Sequence, residues 1–138
     1  MRPRYLIDTS AFLRLDREPV AVTVMPLISQ GGVAMCDPVL LEVMYSAAAS
    51  AYDRTLAKIR GTLTIIDVDA AAGRRAVEVQ HEMAGKSQHR TAKPMDLLIA
   101  ACAETRGLTL LHYDKDYDEI AAVTGQPSMW VVPRGSVT

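Results

Sequence analysis

Acidic side chains mark the places where this sequence could do chemistry. Asp8 follows the apolar run Tyr5-Leu-Ile, Glu42 sits within the apolar segment Leu40 to Met44, and Asp96 comes two residues after Pro94. Asp114 follows the apolar run Leu108 to Leu111, with Asp116 and Asp118 close behind. Carboxylates gathered in one place repel, so such a set either retains protons that isolated acids would shed or binds a cation. Oxygen donors alone suit hard divalent ions, Mg²⁺ or Mn²⁺, over zinc. Each acid also has an ordinary explanation. Asp8 can cap a helix that starts near Ser10, Asp96 can complement a helix dipole, and Asp114, Asp116 and Asp118 can form a solvated turn. Glu42, with apolar neighbours on every side, has a salt bridge to an arginine as its main structural alternative. Ser10 is either a cap or a hydrogen-bond partner that orients Asp8. His81, His89 and His112 share no ligand spacing and read as surface or loop residues. Tyr113 and Tyr117 read as packing residues.

The elements that must position these acids follow from apolar periodicity and from proline and glycine. Tyr5 to Ile7 is a strand, so Asp8 stands at its carboxyl end, and Ala11 to Leu15 is a brief helix. Pro19 to Gln30 has apolar residues at helical intervals (Val20, Val24, Leu27, Ile28) and closes at Gly31-Gly32 before the strand Val33 to Cys36. Asp37-Pro38 opens a helix that is apolar nearly all round and carries Glu42. Tyr52 to Arg60 is a further helical piece and Leu63 to Ile66 a strand. Asp69 caps a long helix running to about Met83, and Gly85 to Thr91 is a polar loop. Pro94 begins a helix with Asp96 in its first turn, and Gly107 ends it in the left-handed conformation. Leu108 to Leu111 is a buried strand, Tyr117 to Val123 a last helix and Met129 to Val132 a last strand. Alternation of strands and helices predicts an α/β fold with a mostly parallel five-stranded sheet flanked by helices. Open sheets of that kind place their sites at the carboxyl ends of strands, where Asp8 and Asp114 stand.

Composition narrows the classes. At 138 residues and 49% hydrophobic content, the chain reads as one domain, residues 1–138, burying roughly two-thirds of its unfolded surface. Fifteen basic residues against sixteen acidic ones give no global signal for a polyanion or a membrane. The local balance is uneven: Arg74, Arg75, Lys86, Arg90 and Lys93 make a basic segment that leads directly into the acidic one. These five are candidates for steering a phosphate backbone, with ordinary surface charge as the alternative. Cys36 and Cys102 lie in apolar runs and form neither a disulfide framework nor a zinc pattern. Buried thiols, no apolar run long enough for a membrane span and a strand that starts too early for a signal peptide are expected of a soluble cytoplasmic protein.

Four segments in order, Leu6-Ile-Asp-Thr-Ser-Ala11, Leu41-Glu-Val43, Pro94-Met-Asp-Leu-Leu-Ile-Ala-Ala101 and Leu111-His-Tyr-Asp-Lys-Asp-Tyr117, resemble the successive motifs of PIN-domain proteins, specifically the VapC toxins of toxin–antitoxin pairs. The resemblance spans nearly the whole chain and implies a PIN-like three-layer fold. It implies that Asp8, Glu42, Asp96 and Asp114 form an acidic quartet for Mg²⁺, with Asp116 at a further acidic position near the metal. It also implies a homodimer, a VapB-like antitoxin that blocks the site, and endoribonuclease activity on structured cellular RNA. Hydrolysis of a phosphodiester fits such acids: they hold the ion, and Glu42 or Asp114 can hold or deprotonate the water. The apolar face around Val39, Val43 and Tyr45 to Ala49 is wider than one small core requires. Two other classes compete. A phosphatase of the haloacid-dehalogenase type would want an aspartate where Ser10 stands, and a receiver domain would want an acidic neighbour beside Asp8. A PIN-like scaffold with a decayed site, binding RNA or protein without cutting, would be expected to have lost one of its acids.

Overall fold

The computed structural model describes residues 2–138. Strands β1 (Tyr5–Ile7), β2 (Val33–Cys36), β3 (Thr64–Ile66), β4 (Thr109–His112) and β5 (Ser128–Trp130) form one sheet in the order β3-β2-β1-β4-β5. All four pairings are parallel, with Leu6 opposite Ala34 on one side and Leu110 on the other. The three central strands are apolar on both faces: Leu6, Ile7, Ala34, Met35, Leu110 and Leu111 are buried, as a parallel sheet covered by helices requires.

The helices are α1 (Thr9–Phe12) and α2 (Glu18–Ser29) between β1 and β2, and α3 (Asp37–Tyr45) and α4 (Tyr52–Thr62) between β2 and β3. Next come α5 (Ala70–Gly85) and α6 (Pro94–Thr105) between β3 and β4, and α7 (Asp116–Thr124) between β4 and β5. Sheet order moves one way from β1 to β3 and then returns past β1 to β4 and β5. Right-handed crossovers therefore place the two sets of helices on opposite faces, which makes three layers. Among the described residues, no helix is long and apolar enough to cross a membrane.

Local chemistry explains most boundaries. Asp69 accepts from the Ala72 amide at 2.9 Å and so caps α5. Gly107, at φ +68°, ends α6 with its own N–H on the Glu104 carbonyl and that of Leu108 on Ala103. That paired closure is a Schellman motif, which needs a left-handed residue at this position. Strand β5 is shorter at its end than expected. Val131 still donates to the His112 carbonyl, but Pro133 has no N–H to extend the ladder, and the chain turns away with Val131 and Val132 buried. Helix α7 starts one residue early, at Asp116, because the Asp114 carboxylate accepts the Asp116 amide and takes over the role of a cap. The helix carrying Glu42 is less apolar in its setting than its sequence suggests: Val39 and Val43 face the core, whereas Leu41 and Tyr45 are 69% and 92% exposed.

Candidate active site

Sheet order reverses between β1 and β4, and the connections on opposite faces leave a crevice beyond the carboxyl ends of these neighbouring strands. Asp8 is the first residue past β1, its N–H still bound to the Leu111 carbonyl of β4 at 3.0 Å. Its Oδ1 accepts the Ala11 amide at 2.9 Å, capping α1, and the Ser10 hydroxyl lies 2.8 Å from both carboxylate oxygens. The same hydroxyl accepts the Tyr113 amide at 2.9 Å. Ser10 therefore ties the exit of β1 to the exit of β4, and Asp8 is both a cap and a member of the crevice. Burial pushes the Asp8 carboxyl up to about 6, against the lowering effect of the Ala11 amide and the Ser10 hydroxyl.

Asp96, Asp114 and Asp116 each bring one carboxylate oxygen within 4.8 Å of the others. They reach this point from three places: the first turn of α6, the β4–α7 loop and the first residue of α7. Asp96 is 9% exposed; its Oδ1 accepts from the Tyr117 hydroxyl at 3.2 Å, and its Oδ2 has no hydrogen-bond partner in the protein. Burial pushes Asp96 up to about 7, helped by the neighbouring carboxylates of Asp116 and Asp114, while Lys93 opposes the shift. Three converging acids, one with a buried oxygen lacking a donor, match the needs of a hard divalent cation, and among the described residues none of the three forms an ion pair.

Two members of the expected set, Asp8 and Glu42, are not part of this triple. Asp8 lies near the buried Tyr117 hydroxyl, which donates to Asp96. Glu42 is half-buried on α3, and its Oε1 accepts from Thr9 Oγ1 at 2.6 Å. A threonine hydroxyl, not an arginine, is its partner. Asp118 is exposed and accepts from Trp130 Nε1 at 3.1 and 3.2 Å.

The basic candidates separate. Arg75 is engaged by Glu78, Glu82 and Glu104 and braces α5 against α6. Arg74 is exposed on α5, and Lys86 is exposed at its carboxyl end. Arg90 and Lys93 line a cleft that runs to Asp116 and also contains Lys115, a cation the sequence did not single out.

His112 is not a surface residue. It is fully buried at the end of β4, with its ring 5.1 Å from Tyr117 and 5.0 Å from Trp130. Burial lowers its pKa to about 4, so the imidazole is neutral and its Nδ1 accepts the Asp114 amide at 3.3 Å. Thr9, His112 and Tyr117 thus orient Glu42, Asp114 and Asp96. Their only sequence signal is that each lies one or two residues from an acid in the set.

This crevice, with its carboxylates at a parallel-sheet switch point, belongs to a known class. The PIN domain family model matches residues 5–123, and the chain belongs to the PIN-domain family. Within it, the chain is 44% identical over 137 residues to ribonuclease VapC51 of Mycobacterium tuberculosis, covering 99% of each. It is 42% identical to ribonuclease VapC18 of the same organism, covering 96% of this chain and 98% of that one. Among solved structures, it resembles a chain of DNA-bound VapBC from Salmonella typhimurium with a TM-score of 0.74 at 21% identity, covering 94% of this chain and 99% of that one. A chain of Rickettsia felis VapBC2 bound to a promoter DNA fragment gives 0.75 at 20% identity, covering 94% and 99%. At those identities the structural likeness speaks for the fold.

Proposed function

We propose that this protein is the toxin of a toxin–antitoxin pair, a metal-dependent endoribonuclease that hydrolyses phosphodiester bonds of structured cellular RNA such as tRNA or rRNA. The observation that carries the reading is the convergence of Asp96, Asp114 and Asp116 on one point of the β1/β4 crevice, in a chain 44% identical to a ribonuclease over its full length. Mg²⁺, with Mn²⁺ as a substitute, is the ion that Asp96, Asp114 and Asp116 would hold, with Asp8 behind them. Bound there, it supplies a more acidic water and positive charge for the phosphate oxygens. The protein's own residues do the rest. Glu42, fixed through Oε1 by Thr9, has its second oxygen free to accept a proton. Ser10, His112 and Tyr117 hold the carboxylates in place without solvent reorganisation.

By the same reading the chain is one domain, pairs with a VapB-like antitoxin and forms a homodimer. The exposed Leu41 and Tyr45 on α3, beside Glu42, are the dimer surface this reading favours. The test is cleavage of total bacterial RNA by antitoxin-free protein with Mg²⁺, with Mn²⁺ and with chelator, beside Asp96→Asn. Discrete products are expected only with metal and an intact Asp96, with a loss of about a hundredfold or more in the variant. Intact RNA in every lane, with no metal bound, would instead identify a binding scaffold.

A further inference from the structure

The loop from Lys86 to Lys93 and the start of α7 enclose a cleft of ≈ 760 Å³ whose walls include His89, Arg90, Lys93, Lys115, Asp116 and Glu119. Asp116 is also one of the three converging carboxylates, so the cleft opens directly onto the acidic site. Its cations are available: among the described residues, Arg90, Lys93 and Lys115 form no ion pair, unlike Arg75, Arg106 and Arg17. They are also exposed.

The loop that carries two of them is fixed in place. Ser87 donates to the Ala84 carbonyl at 2.9 Å and Gln88 to the Met83 carbonyl at 2.7 Å, a Schellman closure of α5. Thr91 bonds the Gln88 carbonyl through both its amide and its hydroxyl, at 3.1 and 2.8 Å, and Ala92 is buried as an anchor. Ser87 holds φ +57°, the conformation that Gly31 and Gly107 take at the ends of α2 and α6. A non-glycine residue there is strained, and such strain gathers at working surfaces.

We propose that this cleft seats the RNA backbone on one side of the scissile phosphate, through Arg90, Lys93 and Lys115; the proposal rests on the ribonuclease reading and gives it a direction. Carboxylates that hold an ion repel the phosphates flanking the reacting one, and three cations lining this cleft offset that repulsion on that side only. Against Asp116 and Glu119, the three cations leave the cleft a net positive lining. The contacts are to phosphates, so they govern affinity and its salt dependence without choosing sequence.

The test compares two triple variants of equal charge change in the full-length protein. Arg90→Gln/Lys93→Gln/Lys115→Gln removes the cleft cations, and Arg54→Gln/Lys58→Gln/Arg60→Gln removes three from α4. A fluorescein-labelled single-stranded RNA of mixed sequence is titrated at several KCl concentrations, with melting temperatures checking the fold. The cleft variant should bind about tenfold more weakly and lose about 2 from the slope of log affinity against log salt, at ~0.7 per phosphate contact on a single strand. The α4 variant should match the wild type. Equal losses in both variants, or none in either, would overturn the cleft while leaving a wild type that binds and cuts RNA as a ribonuclease. A wild type that neither binds nor cuts any RNA would overturn both.

Discussion

Tyr117 shows how much a single hydroxyl can organise. Its ring packs on His112, it is almost fully buried, and its O–H donates to Asp96 at 3.2 Å with Asp8 nearby. That one bond fixes the orientation of the Asp96 carboxylate. Tyr117→Phe removes only that hydroxyl and keeps the ring. Mn²⁺ binding measured by calorimetry should weaken about threefold to tenfold, in line with loss of a group that orients metal ligands, while the melting temperature of the metal-free protein shifts little. Unchanged Mn²⁺ affinity would show the hydroxyl to be mere packing. The acids make a second statement. Asp8 and Asp96 have folded-state pKa values of about 6 and about 7, above the ordinary 3.8. The native state therefore holds protons that the unfolded chain has released. Their contribution to stability is complete below about pH 4 and is lost as pH rises through about 6 to 7. In chelator, the melting temperature should fall between about pH 5 and about pH 8; Mg²⁺, which competes for the ionised carboxylates, should reverse much of the fall. A melting temperature that instead rises across this range would contradict the buried, protonated state of the two acids.

Three helices end in the same way and differ in one residue. Helices α2 and α6 close on Gly31 and Gly107 at φ +74° and +68°, and α5 closes on Ser87 at +57°. Glycine takes this conformation without steric cost, and a residue with a Cβ is strained there by about 1 kcal/mol. Ser87→Gly should raise stability by about 0.5 to 1 kcal/mol in urea unfolding. The converse change, Gly107→Ala, should lower it by a similar amount. A destabilised Ser87→Gly protein would mean that the serine makes an interaction that outweighs the strain. The α5–α6 pair has its own brace in Arg75, whose guanidinium reaches Glu104 at 2.6 Å and Glu78 at 2.6 Å. That brace fixes the packing of the helix that delivers Asp96.

At the scale of the molecule, the proposed dimer can be tested at one face. Leu41 and Tyr45 project from α3 next to Glu42, and this exposed apolar pair is the surface proposed for the dimer. Leu41→Ser/Tyr45→Ser should shift the antitoxin-free protein from dimer to monomer in light scattering and leave its fold intact by circular dichroism. A wild type that is already monomeric at high concentration would remove this face from the dimer.

Much of the architecture was legible before any coordinates. Strand runs such as Leu108 to Leu111 announce burial on both faces, Gly31 and Gly107 announce helix ends, and Asp8 and Asp114 fall at strand ends because alternating strands and helices imply a parallel sheet. Such features are local in sequence, and local chemistry decides them. What the sequence could not determine is which side chains meet. Arg75 and Arg90 look alike in the chain, yet one is neutralised by Glu104, 29 residues away, and the other lines an open cleft. Glu42 meets Thr9, 33 residues away, instead of an arginine. His112 reads as a polar loop residue, but it is buried because β4 extends through it and Trp130 of β5 covers its ring. Partnerships of that kind depend on the order of the strands and on which helices share a face, and these are fixed only when the chain packs.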